Sequence, residues 1–274
     1  MSGESYTAAV VQMAAGPDTG ANLARVEALV ARAATAGARL VALPELCFWR
    51  GPGRNYAAHA EAIPGPLTDR LGLLAARHRI YLAAGSILEV SEVAGRCHNT
   101  ALLFGPDGTL LARYRKIHLF DVAIDGGPTA RESERIAPGN EVVVVETVLG
   151  RVGLAICYDL RFPELFRAMA ARGAEAIVLP AAFTRHTGRR HWQILLRARA
   201  IENQAYLVAP GLIGPMENGI PTYGHAMIVD PWGEVVARLG TDEAVATATV
   251  DRDHLHEIRT QLPALGHRRR DLFG

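Results

Sequence analysis

The sequence predicts a layered α/β fold with mixed β-sheets, and two observations carry that expectation. Short β-rich runs alternate with helical patterns, as parallel crossover units require, and three long hairpins with clear turn chemistry interrupt them. A weak long-range echo accompanies both: a strand–helix–strand unit ending in Leu43-Pro44 recurs as one ending in Leu179-Pro180.

The elements follow in order. TAAVVQM (7–13) has the continuous apolar character of a buried strand. From Asp18 to Ala36, Leu23, Val26, Val30 and Ala33 share one helical face, and Gly37 stops the helix. RLVALPEL (39–46) is the next strand, ended by Pro44. After a loop at 50–65, PLTDRLGLLAARH forms a second helix through Leu67, Leu71 and Leu74, and YLAAGSIL (81–88) returns to strand. The hairpins pair NTALLF with TLLARYRK around Gly105-Pro-Asp-Gly108, EVVVVETV with RVGLAIC around Leu149-Gly150, and HAMIVD with EVVARL around Pro231-Trp-Gly233. Between them lie a helix from Pro163 to Ala171, a strand at 174–180, a helix from about Thr187 to Asn203 with Thr187 placed to cap it, and a strand at 205–210. A short helix over 251–262 closes the chain. No Pro/Gly/Ser-rich linker divides it, so residues 1–274 read as a single domain.

Composition narrows the function classes. The 274 residues are 49% hydrophobic and 21% charged, with 29 Lys+Arg against 28 Asp+Glu, so no basic groove for nucleic acid is expected outside the HRRR run at 267–270. Residues 1–20 lack a secretory pattern, and no apolar run approaches a membrane span. Cys47, Cys97 and Cys157 are odd in number and widely spaced, which argues against a disulfide framework or zinc knot and for a reducing cytoplasm. Neither GxGxxG nor GxxxxGK[ST] is present, so no nucleotide cofactor is expected. His254-x-His256 has metal-ligand spacing only on a strand, so no metal is expected from a helical segment. A Cys–His enzyme is a further reading, but His118 and His225 are placed in hairpins, where a structural histidine is the simpler role.

In layered α/β proteins function gathers just past strand ends. Glu45 follows VALP, Lys116 follows LLARYR, and Cys157 follows VGLAI. A thiol is mostly protonated at neutral pH and needs a base. A carboxylate can be that base, more so if apolar walls raise its pKa, and an ammonium can hold an oxyanion. The helix opening at Pro163 should also favour a thiolate at Cys157.

LPEL (43–46), YRKIHLFD (114–121) and GLAICYDLRFPELF (153–166) resemble the three signature blocks of the nitrilase superfamily of carbon–nitrogen hydrolases. ARESERIAPGN (130–140), HWQILLRARAIENQAY (191–206), YGHAMIVDPWGEVVA (223–237) and LPALGHRRRDLF (262–273) extend the likeness over nearly the whole chain. It is most similar to the branch holding deaminated-glutathione amidase and omega-amidase. The resemblance implies a four-layer α-β-β-α sandwich with two mixed β-sheets that pairs into homodimers or larger homo-oligomers, and it implies no cofactor. It makes Glu45 the general base, Lys116 the oxyanion partner and Cys157 the nucleophile, with the Tyr158 N–H as second oxyanion donor and Glu132 in support. The implied substrate is a small carboxylate-bearing amide, of the deaminated glutathione or 2-oxoglutaramate type. N-carbamoyl amino acids or aliphatic amides are the alternatives within the superfamily, and an inactive nitrilase-fold interaction protein is the alternative outside catalysis. Arg161, four residues past Cys157, is placed either to hold a substrate carboxylate or to pair with Asp159, Glu164 or another acid. Phe183, Thr184 and Arg185, after the strand ending at Pro180, are expected to wall the pocket, and the tract 211–224 to shape its entrance.

Overall fold

A β–α–β–α–β run occurs twice, and each copy builds one sheet. The computed structural model describes residues 4–215 and 219–273. The first run comprises β1 (Tyr6–Ala14), α1 (Thr19–Thr35), β2 (Leu40–Ala42), α2 (Pro66–His78) and β3 (Tyr81–Val90), continued antiparallel by β4 (Cys97–Phe104) and β5 (Leu110–Arg115). A small ribbon, β6 (Asp121–Ala123) with β7 (Thr129–Arg131), leads to the second half. There β8 (Val143–Thr147) precedes β9 (Gly150–Leu154), α3 (Pro163–Ala171), β10 (Ala176–Val178), α4 (Arg185–Asn203) and β11 (Tyr206–Ala209). The chain then runs through β12 (Gly211–Ile213), β13 (Met227–Val229), β14 (Val235–Arg238), β15 (Ala244–Val250), α5 (Arg252–Gln261) and α6 (Arg270–Phe273).

Among the described residues the first sheet has the order β12-β1-β2-β3-β4-β5, with β15 also on β1, and the second has β14-β13-β11-β10-β9-β8. β1 shows how they stack. Its Ala9, Val11 and Met13 pack on Leu23, Val26 and Val30 of α1 and with Leu71 and Leu74 of α2. Its Tyr6, Ala8 and Val10 face the opposite way, into a core shared with Val152, Leu154, Ile177 and Leu207 of the second sheet and with Phe166, Met169, Trp192 and Leu196 of α3 and α4. The layers are therefore α, β, β, α, as expected.

Local chemistry sets the ends. Asp18 caps α1 by accepting from the Ala21 N–H at 3.0 Å, and Asp251 caps α5 from Asp253 and His254 at 3.0 and 3.1 Å. Pro66 and Pro163 open α2 and α3 at positions where no N–H is needed. Three expectations change. The second strand stops at Ala42 rather than Leu46, because Pro44 and a left-handed Leu46 (φ 49°) leave the ladder. α4 starts at Arg185, so Thr184 precedes it and Thr187 lies inside, its hydroxyl 2.9 Å from that of Thr184. β15, unforeseen, pairs antiparallel with β1 from Tyr6↔Val250 to Gln12↔Ala244. Its AVATATV sequence offers small and hydroxylic side chains in place of a strong apolar alternation. No helix among the described residues is long and apolar enough to cross a membrane.

An irregularity in the first sheet bears on the loop after β2. The β3–β4 register shifts between Ala83 and Ser86, and Gly85 there has φ +62°. A Cβ on Gly85 would lie 2.0 Å from the Pro44 carbonyl oxygen. The Ser86 hydroxyl accepts from the Leu46 N–H at 3.1 Å. The bulge thus holds the Pro44–Leu46 turn from beneath. Gly85→Ala should cost about 1–3 kcal/mol through the left-handed backbone and the close carbonyl, read as a lowered denaturation midpoint, and should reduce activity by displacing Glu45.

Candidate active site

Three strand ends converge at one edge of the sandwich. Past β9, Cys157 adopts φ +47° and begins a 3₁₀ turn, Cys157–Arg161, which Pro163 converts into α3. A left-handed backbone at a non-glycine residue is strained and survives only where its surroundings fix it. Here the Cys157 N–H donates to the Pro180 carbonyl at 2.9 Å, and the Ile156 N–H donates to Asp159 Oδ2 at 2.8 Å. Tyr158 is second in the turn, where a helix leaves its N–H groups without intrahelical partners.

Glu45 follows β2 and is buried. Its Oε1 accepts from Lys116 Nζ at 3.1 Å and from Asn99 Nδ2 at 2.9 Å, and its Oε2 accepts from the Ala182 N–H at 2.9 Å. The Cys157 thiol lines the same cavity and interacts electrostatically with this carboxylate. Lys116, the residue after β5, is 2% exposed, and its ammonium also contacts both oxygens of Glu132 at 2.9 Å. Glu132 opens a 3₁₀ turn after β7 and is fixed by the Phe120 N–H, 2.6 Å from Oε2. The structure therefore brings Glu45, Lys116, Glu132 and Cys157 into one cluster.

The electrostatics differ from expectation in two respects. Burial pushes the Glu45 carboxyl upward, but Lys116, Arg50 and the hydrogen bonds from Cys157 and Lys116 outweigh it and hold the pKa below the ordinary 4.5. Burial, followed by the Glu45 charge, pushes the Cys157 thiol well above its ordinary 9.0, although Lys116 pulls the other way. The turn 157–161 separates α3 from the thiol, so the expected help from that helix start does not prevail. Lys116 loses to desolvation but gains more from Glu132 and Glu45, and it stands well above 10.5.

Asp159 ties the thiol loop to the lysine strand. Fully buried, it accepts from the Tyr114 hydroxyl at 2.7 Å and the Ile156 N–H through Oδ2, and through Oδ1 it meets the His118 N–H at 3.1 Å and His118 Nδ1 at 2.7 Å. His118 stacks on Phe162 at 3.7 Å. His118 and His225 both lie in loops rather than hairpin strands, and His225 Nδ1 sits 2.6 Å from the Tyr223 carbonyl oxygen. His254 and His256 lie on α5, and no group of three or more potential metal-ligating side chains occurs among the described residues.

The cluster opens into a cavity of about 380 Å³. Tyr158, Arg161, Phe183 and Thr184 line it, whereas Arg185 does not: as the first residue of α4 it is exposed, with its N–H on the Pro221 carbonyl at 2.8 Å. Arg161 pairs with no acid among the described residues. Its Nη1 is 3.2 Å from His191 Nδ1, and its guanidinium lies 5.1 and 5.7 Å from the ring centroids of Phe183 and Tyr158. Residues 216–218 of the entrance tract lie outside the described residues. Sequence reasoning missed Arg50, Phe120 and Arg135 on the wall, and Asn99 and Ala182 against Glu45. The repeated Leu-Pro was the signal for Ala182: it lies two residues past Pro180, as Glu45 lies one past Pro44.

The carbon–nitrogen hydrolase family model matches residues 7–260. The human omega-amidase NIT2 is 43% identical over 270 residues, covering 98% of this chain and 97% of its own. The crystal structure of Saccharomyces cerevisiae Nit3, a member of branch 10 of the nitrilase superfamily, has a TM-score of 0.88 at 31% identity, with 98% of this chain and 97% of that one covered. An amidase mutant from Nesterenkonia sp. AN1, showing covalent addition of the acetamide moiety of fluoroacetamide at its active site cysteine, has a TM-score of 0.82 at 29% identity, covering 98% and 95%.

Asp159→Asn should destabilise the chain by about 3 kcal/mol, because an amide N–H₂ replaces one acceptor facing donors in a buried site. A denaturant titration should show the loss. Activity should fall further than the folded fraction accounts for, since Cys157 and Lys116 lose their common anchor.

Proposed function

The chain belongs to the carbon–nitrogen hydrolase family, in the nitrilase superfamily, and we propose that Cys157, Glu45 and Lys116 are its catalytic residues. It is an amidase acting on small substrates. The observation that carries the assignment is the Glu45 carboxylate, bonded to the Lys116 ammonium, on the same cavity wall as the Cys157 thiol.

The geometry supports a double displacement. At rest the thiol is neutral and Glu45 ionised, so the proton moves to Glu45 only as sulfur bonds to the amide carbon. The carbonyl oxygen becomes an oxyanion held by Lys116 and the Tyr158 N–H. An ammonium has three donors, and at rest all three face carboxylate oxygens: Glu45 Oε1 and both oxygens of Glu132. Lys116 therefore reaches the oxyanion by giving up one contact to Glu132, while the other keeps it charged and in place. Glu45 then protonates the leaving nitrogen, the C–N bond breaks and a thioester remains. Water enters, Glu45 takes its proton, and collapse of the second tetrahedral intermediate releases the acid and returns the proton to sulfur. None of these steps requires a cofactor.

For the substrate, Arg161 supplies the selection. Burial lowers its pKa, no carboxylate among the described residues pairs with it, and it lines the cavity with Cys157. An acyl group carrying a carboxylate satisfies it, which fits small amides of the deaminated glutathione or 2-oxoglutaramate type. The same reading takes residues 1–274 as one hydrolase domain working in the cytoplasm as a homodimer or larger homo-oligomer. Three free cysteines accord with that compartment, and the exposed Ile194, Ile201 and Trp232 offer an apolar face for pairing.

Cys157→Ala should lower ammonia release from such amides at least about a thousand-fold while leaving the circular dichroism spectrum unchanged. Mass spectrometry of quenched wild-type enzyme should find an acyl group on Cys157. Undiminished turnover in the alanine variant would remove the assignment. The pH profile has a defined sign. The competent form has Glu45 ionised with Cys157 and Lys116 protonated, so kcat/KM should stay flat through neutrality. It should fall only below pH 4.5 and change on the alkaline side only above pH 9.0. A limb between pH 6 and 8 on a substrate that does not titrate there would contradict these protonation states.

A further inference from the structure

The two oxygens of the Glu45 carboxylate face different halves of the sandwich. Oε1 accepts from Lys116 Nζ at 3.1 Å and from Asn99 Nδ2 at 2.9 Å, both on the β4–β5 hairpin of the first sheet. Among the described residues Oε2 accepts from the Ala182 N–H, at 2.9 Å. Ala182 lies two residues past Pro180, whose carbonyl takes the Cys157 N–H at 2.9 Å. Oε2 is therefore the oxygen turned toward the segment that holds the nucleophile. A carboxylate oxygen accepts through two lone pairs. On Oε1 both are occupied, and on Oε2 one remains.

Asn99 is placed to enforce that difference. It is fully buried on β4 and reaches the base and the lysine at once. Its backbone carbonyl accepts from the Lys116 N–H at 2.8 Å, while its side chain donates to Glu45. It stands behind the cavity wall rather than on it. Its Oδ1 is buried without a hydrogen-bond partner among the described residues, which forfeits that atom's hydration. Turning the amide over would set Oδ1 against Oε1, two acceptors face to face. The carboxylate alone orients this amide, and a residue kept for packing would have both ends satisfied.

We infer that Asn99 is a positioning residue for the general base: together with Lys116 it saturates Glu45 Oε1, so that the thiol proton is received and handed on through Oε2. This rests on the Cys157–Glu45 reading above. As sulfur bonds to the amide carbon, the S–H bond breaks and its proton passes to the free lone pair of Oε2. The proton then moves to the departing nitrogen as the C–N bond breaks, and Glu45 is again a carboxylate. Without Asn99, Oε1 has a vacant lone pair, and a proton taken up there lies on the first-sheet side, away from sulfur. The other ionisable groups acting on Glu45 are Lys116, Arg50 and Cys157, with Glu132 on the far side of Lys116.

The test follows a primary ω-amide of a 2-oxo dicarboxylic acid, with rates taken per folded enzyme from circular dichroism. Asn99→Leu removes the donor at similar volume and should lower kcat about ten-fold or more. KM should stay within about two-fold of wild type, because Asn99 does not line the cavity. The acidic limb of kcat/KM should move up by about one pH unit, since a carboxylate that loses a donor holds its proton more tightly. Asn99→Asp keeps the shape. Protonated, the new side chain donates to Oε1 as the amide does; ionised, it cannot. Its kcat should therefore fall as pH rises through neutrality, where the wild type is flat. A merely structural role would lower the folded fraction and move neither profile. An acidic limb and a kcat unchanged in Asn99→Leu overturn the role of Asn99. If the leucine variant does not fold, an Asn99→Asp profile parallel to wild type overturns it instead. Glu45→Gln separates the two readings: turnover retained there overturns the base itself, whereas turnover lost there beside unaltered Asn99 variants overturns the positioning role alone.

Discussion

A lysine ammonium enclosed by two carboxylates is the constraint that the remaining architecture serves. Lys116, Glu45 and Glu132 come from three separate stretches of chain, and water reaches them little. Ions taken from water are tolerated only when their hydrogen-bonding capacity is met, and losing one partner of such a set costs about 3–5 kcal/mol. The protein meets that requirement with Asn99 and the Ala182 N–H on Glu45, and with the Phe120 N–H on Glu132. Asn99 of β4 and Ala182 hold the Glu45 turn, and Phe120 holds the turn that carries Glu132. The ion cluster thus fixes the cavity walls as well as furnishing reactive groups.

Duplication explains how so many loops arrive at one place. Each β–α–β–α–β run delivers a Leu-Pro pair to the same edge, one ahead of Glu45 and the other ahead of Ala182, and the two ends hydrogen-bond across the gap between the sheets. Pro180, past β10, also accepts from the Cys157 N–H, so one strand end of the second copy supports the residue that another presents. The strain at Cys157 is carried by this contact and by Asp159.

Much of this was legible in the sequence, for identifiable reasons. Helices with one apolar face and capped ends, such as α1 and α2, announce themselves through periodicity within a short window. Strands followed by Pro44 or a hairpin turn do so almost as well, and Glu45, Lys116 and Cys157 stood out because each directly follows one. β15 was not legible: its small residues gain their place from a partner more than two hundred positions away. Nor was the protonation pattern. Apolar neighbours suggested a raised Glu45 pKa, but the Lys116 charge, foremost among the influences that lower it, belongs to a residue distant in sequence. Arg50 was not legible either: it reaches the cavity wall from a loop and follows no strand end.

The neutral thiol has a further meaning. A cysteine ionised at rest would react with any passing electrophile or oxidant, whereas one held protonated beside a carboxylate is far less reactive until its proton is removed. The division of the reactive set between the sheets adds something else. Glu45 and Lys116 leave the first sheet, while Cys157 leaves the second. A slip of one ångström between those slabs would scarcely trouble an oily interface, yet misalignment of that size can slow bond-making a hundred-fold. Turnover is therefore a vernier on the stacking of the sandwich, able to register mechanical slack well before the chain comes apart.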